Sequence, residues 1–246
     1  MRQLDPPTMT PGRSERFDFI VAVLTAVVTS VSFVVAILTP PKSGPFCTAG
    51  CVEYPYTDIA AYIPRDFLWM YPALLPAPLF VILLIGLQER AQIERKSFGR
   101  IAVTFGAMAA ATLTAVYFIQ LRYVQPAVLR GELDGLAPWT QYNPHGVFIA
   151  LEEAGYALLG VAFLFAGLAL SAGSRVLRAA RAILLLGFWC VAIAFAAFSA
   201  AYGFDVEYRF EVAAITIDWT VIIVAGALLA FAYRREAAKA RQRRPV

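Results

Sequence analysis

The sequence predicts an all-α, polytopic membrane protein of six transmembrane helices with both termini cytoplasmic, and three observations carry that expectation. The first is composition: 60% of the residues are hydrophobic and 15% charged, with a mean hydropathy of +0.65. Soluble domains hold roughly 45–50% apolar and about 25% charged residues, so apolar surface in this excess is expected to face lipid. The second is that the apolar residues gather into six runs close to the roughly 20 residues that span a bilayer. The third is the placement of basic residues, which alternates from one connector to the next.

Residues 1–16 read as a short disordered lead, because Pro6, Pro7, Pro11 and Gly12 discourage helix. The first span is expected over 17–38. It exceeds the apolar core of about 7–15 residues that marks a cleavable signal and ends in Thr39-Pro40-Pro41. A loop rich in Pro and Tyr then carries Cys47 and Cys51, a C-x3-C pair able to form a disulfide in an oxidising compartment. The second span, 67–87, contains Pro72, Pro76 and Pro78 and should begin irregularly, since proline removes a backbone donor and bends a helix.

A charged connector leads to the third span, 101–124, where Gly106 and Ala110 form a small-xxx-small pair that permits close helix approach. A polar loop with Pro126, Gly131, Pro138 and Pro144 precedes the fourth span, 146–170. A basic connector with Arg175, Arg178 and Arg181 precedes the fifth, 182–204. The sixth, 212–233, follows a short acidic turn, and residues 234–246 form a basic tail.

Charge placement orients the chain. The lead, the two short connectors and the tail together hold 16 of the 21 Lys and Arg residues; Lys42, Arg65, Arg122, Arg130 and Arg209 fall on the other side. The positive-inside tendency makes the first side cytoplasmic and puts the cysteine loop outside. Ala- and Arg-rich, Lys-poor usage points to a GC-rich bacterial genome, hence to a bacterial cytoplasmic membrane. Stop-transfer charge explains the tail, with attraction to anionic membrane lipids alongside and no nucleic acid implied.

The same chemistry excludes several classes. The three lysines, Lys42, Lys96 and Lys239, lie outside the spans, so there is no retinal Schiff base. One histidine cannot give bis-His haem, and a zinc site wants about four ligands. The sequence has no P-loop, GxSxG or HExxH, and no paired aspartates of an intramembrane protease. No cofactor and no metal are expected.

The candidate site begins at Asn143–Tyr156, where His145 and the adjacent pair Glu152 and Glu153 enter the fourth span. Ionisable groups inside a span are costly and mark functional sites by default. Glu152 lies six residues in from the outer edge and Asp218 six residues into the sixth span, each roughly 9 Å deep at 1.5 Å per residue. Gln120 and Arg122 lie within about 6 Å of the same edge on the third span. His145, Glu152 and Tyr156 recur at i, i+7 and i+11, close to one helix face, whereas Glu153 points about 100° away. Glu211 and Asp218 are likewise seven apart. The proposed ligand or ion site is therefore Glu152, Glu153, Asp218, Arg122, Gln120, Tyr156 and His145, with Arg122 the expected counter-charge and Arg65 and Arg209 at the boundary. The same groups also fit structural ion pairing between spans, and Tyr117, Trp69 and Trp139 fit an interfacial aromatic belt.

Three functions accommodate this pattern. The first is an outward-facing cavity that binds or transports a small molecule, lipid or cation, driven by protons. The second is a membrane-embedded enzyme using a glutamate as acid and base on a lipid or isoprenoid substrate. The third is a non-catalytic partner subunit of a membrane complex, alone or as an oligomer.

Overall fold

In the computed structural model, which describes residues 11–171 and 173–242, the protein is a bundle of long helices, and no strand occurs among the described residues. The helices are α1 (Pro11–Ile37), α2 (Met70–Ala73), α3 (Pro76–Arg90), α4 (Lys96–Ile119), α5 (Gln125–Arg130), α6 (Val147–Ala169), α7 (Arg175–Tyr202) and α8 (Tyr208–Gln242). Six helical stretches are long and apolar enough to cross a membrane: 16–37, 65–90, 93–130, 147–169, 175–202 and 208–236.

The boundaries depart from expectation where helix continues past the apolar run. Residues 11–16, expected as part of a disordered lead, belong to α1, whose first residue is Pro11; residues 1–10 lie outside the described residues. Proline is tolerated at a first helical position because its missing N–H would be unpaired there anyway. The second span does begin irregularly, with a 3-10 turn at Arg65–Phe67 and the single turn of α2 before α3 starts at Pro76. α4 runs without a break into a π turn, Gln120–Val124, and then α5, so helix extends to Arg130 where a loop was expected. α7 starts at Arg175, capped by the Ser174 hydroxyl, which accepts from the Leu177 amide at 3.2 Å. α8 carries the basic tail as helix through Gln242; Arg243 and Arg244 are not among the described residues.

Packing orders these helices into a closed ring. α1 lies against α3 and α8, α4 against α3 and α6, and α7 against α6 and α8, while α6 also touches α8 and α3. α6 is thus the central helix: half of its apolar window is buried, against 17% for α7 at the periphery. Small residues let the ring close. A Cβ on Gly226 of α8 would stand 3.2 Å from the Ala22 carbonyl oxygen and 3.3 Å from the Ala26 Cβ of α1, so a larger residue would require α1 to give by a few tenths of an ångström. In α1 the hydroxyls of Thr25, Thr29, Ser30 and Ser32 donate to carbonyls four residues earlier, which satisfies them without a second helix.

The two ends of the bundle are built differently. At the end that carries the tail, Arg90 of α3 donates to Asp18 of α1, its Nε at 3.0 Å, stacks on the Tyr233 ring of α8 at 4.6 Å, and reaches Glu236 at 3.4 Å. Arg95 closes the C-terminus of α6, donating to the Leu168 and Leu170 carbonyls at 3.1 and 3.0 Å. At the other end Cys47 and Cys51 are joined by a disulfide, and the two long loops meet over the bundle.

Candidate functional site

α6 presents Glu152 and Tyr156 one turn apart on one face. Gly155 between them admits α4, since a Cβ there would meet Leu113 at 2.7 Å. The close approach brings in Tyr117 of α4, whose hydroxyl donates to Glu152 Oε1 at 2.6 Å and lies 2.7 Å from the Tyr156 hydroxyl. Each phenol has one proton. Tyr117 gives its proton to Glu152, so Tyr156 donates to Tyr117 and a directed chain of hydrogen bonds ends on the carboxylate.

α8 adds two more acids. Glu211 lies close enough to Glu152 for the two carboxyl groups to interact, and a hydrogen bond between them would need a shared proton. Asp218, two turns further along α8, is fully buried and lies within electrostatic reach of Tyr156. Neither Asp218 oxygen nor Glu152 Oε2 has a hydrogen-bond partner. Native interiors rarely leave buried polar atoms in this state. Among the described residues no Lys, Arg or His forms an ion pair with Glu152, Glu153, Glu211 or Asp218.

Above this cluster lies a cavity of about 280 Å³. Its walls come from the last turns of α1 (Phe33, Ala36, Ile37), the following loop, the first turn of α6 and the first turns of α8. Glu211 is one of its wall residues, Trp69 and Tyr208 are others, and Asp66 and Lys42 add charge. Ile37, Phe46 and Val212 are the exposed apolar members of the lining, which puts the mouth between α1 and α8 under the disulfide loop. An aromatic cluster supports the inner side, with Trp219 packed edge-on against Phe33 at 5.8 Å and Trp69 against Tyr117 at 5.3 Å.

The loops are fastened over the cavity by two buried polar centres. Tyr208 donates to the Gln141 carbonyl at 2.9 Å and lies 2.7 Å from the Ser43 hydroxyl, tying α8 to both loops. Asp66 accepts from Arg65 at 2.7 Å and from Tyr142 at 3.0 Å. Burial, together with the neighbouring Asp66 charge, pushes the Tyr142 phenol well above its ordinary pKa, so it stays a proton donor at neutral pH.

The structure unites some of the sequence-derived site residues and separates others. Glu152, Tyr156 and Asp218 are brought together, and Glu153 lies beside them, half-buried. Arg122 lies in the π turn, is exposed and pairs with no acid among the described residues. Gln120 is fully buried but serves the loop, donating to the Trp139 carbonyl and accepting from the Gln141 amide at 3.1 Å. His145 is exposed and precedes α6, which starts at Val147, so the i, i+7 spacing to Glu152 does not hold. Arg65 and Arg209 are engaged locally, with Asp66 and with Glu207 at 3.1 Å. Tyr117 and Trp69 are buried site residues and not members of an interfacial belt; Trp139 remains partly exposed.

Sequence reasoning missed Tyr117 and Asp66 as site residues, since nothing local links them to Glu152 or to Tyr142. Glu211 carried a signal in its seven-residue spacing from Asp218 but was counted with the acidic turn. Among the described residues, no group of three or more His, Cys, Asp or Glu side chains is arranged to hold a metal ion. No protein-family model, curated protein or solved structure matches the chain.

Proposed function

We propose that this is a multi-pass protein of a bacterial cytoplasmic membrane, with its termini cytoplasmic and its disulfide end outside, that binds a small amphipathic molecule in the cavity between α1 and α8 and couples its movement to protons held by Glu211 and Glu152. One observation carries the reading: Glu211 belongs both to the cavity wall and to the enclosed carboxyl and tyrosine chain. A ligand at the wall therefore acts on the shared proton. Intramembrane acids without counter-charges commonly serve as such relays. Closure of the opposite end by Arg90, Asp18 and Glu236 agrees with a cavity open to one side at a time.

The test is proton movement. The protein is reconstituted in liposomes with a pH-sensitive dye inside and challenged with a panel of amphipathic amines, acids and neutral solutes. At least one solute is expected to drive proton flux, and Glu152→Gln and Glu211→Gln should each abolish it. Flux that persists in both variants, or that no solute evokes, overturns the coupling. A lipid-modifying enzyme is the second reading, favoured by the lateral mouth, which would admit an acyl tail; it requires a covalently altered lipid after incubation.

A further inference from the structure

Glu211 on the cavity wall, and Glu152 and Asp218 enclosed behind it, lack a basic partner, whereas the other charged residues of the wall have polar partners of their own. Lys42 Nζ donates to the Ala49 carbonyl at 2.9 Å and sits over the Tyr62 ring at 5.4 Å. Asp66 is held by Arg65 and Tyr142. The unmatched group on the wall is Glu211, and behind it stand Glu152 and Asp218, both fully enclosed and with oxygens that no donor serves. An anionic ligand head would confront these acids. A neutral hydroxyl or amide head would offer a hydrogen-bond donor but no countercharge. A cation at Glu211 would supply the missing countercharge on the wall, and a protonated amine brings several N–H donors where acceptors are in surplus.

The rest of the lining fits the same chemistry. Phe33, Trp69, Phe148 and Tyr208 supply aromatic surface beside Glu211, the kind of surroundings that hold an ammonium group through ring faces as well as charge. Ile37 and Val212 are exposed at the mouth, so an apolar chain can leave the cavity sideways without crossing a polar rim.

We infer that the cavity takes a protonated amine carried on an apolar chain, with the ammonium group against Glu211 and the chain leaving between Ile37 and Val212. This rests on the proposed function and names its ligand class. A free alkylamine and the headgroup of an aminophospholipid share this chemistry.

The experiment reads occupancy at the mouth. Val212→Cys in a Cys190→Ala background, in phosphatidylcholine nanodiscs, is labelled with a maleimide in the presence of dodecylamine, dodecanol or dodecanoate at equal concentration. Dodecylamine is expected to slow labelling at least tenfold where the alcohol and the acid do not, and Glu211→Gln should remove that protection while Glu211→Asp keeps part of it. A second arm replaces the lipid with phosphatidylethanolamine: protection without added amine assigns the site to a lipid headgroup, and protection by dodecylamine alone assigns it to a free amine. Equal protection by alcohol or acid, or protection that survives Glu211→Gln, overturns the ammonium assignment and leaves cavity binding standing. Unslowed labelling with every probe and in both lipids overturns both.

Discussion

The Tyr117 hydroxyl serves two groups at once, Glu152 Oε1 and Tyr156, in a place from which water is excluded. Removing it in Tyr117→Phe leaves a buried carboxylate oxygen and a buried phenol without their partner, at a cost of about 1–3 kcal/mol. A lowered thermal unfolding midpoint in detergent checks this. Asp218→Asn should cost less: the Asp218 oxygens have no donor to lose, so the unfolding midpoint should fall less than in Tyr117→Phe while any coupled proton flux falls. A stability loss in Asp218→Asn as large as that in Tyr117→Phe would show that Asp218 is structural. Glu152, Glu153 and Asp218 were legible in the sequence because depth can be counted along a span, whereas Glu211, at the edge of the sixth apolar run, read as part of the acidic turn. Tyr117 was not, since a tyrosine near the end of an apolar run reads as interfacial unless its partner on another helix is known.

Between elements, the decisive contact is α4 on α6, and it depends on Gly155 fitting against Leu113. Gly155→Val should push the helices apart and separate Tyr117 from Glu152, destabilising by about 1–3 kcal/mol through overpacking; a denaturant or thermal midpoint equal to wild type would contradict it. The existence of the six long helices was readable from apolar run length, because that length is set by what the run has to span. Their ends were not. Arg175–Arg181 and Arg234–Gln242 are helical although polar, since Arg, Ala and Lys form helix well without being apolar. The π turn at Gln120–Val124 was equally invisible, and depth along the span, which brought Arg122 level with the acids, does not say which way it faces; it is exposed.

Across the molecule, the ring is drawn shut at the tail end by Arg90 acting on α1 and α8 together. Arg90→Ala would strand Asp18 in a partly buried setting, and a loss of about 3 kcal/mol is expected, measured as accelerated unfolding in detergent; Arg90→Lys, keeping the charge but not the fork, should recover part of it. Helix order in the ring was beyond reach of the sequence, because every span is apolar and small residues occur on most of them. The pairing of α1 with α8 bears on how the protein is made. A ring whose seam joins α1 to α8 stays open until α8 has been made, and Glu211 meets Glu152 only then. Until α8 emerges from the ribosome, α1 must wait with its Ala22–Ala26 face unoccupied.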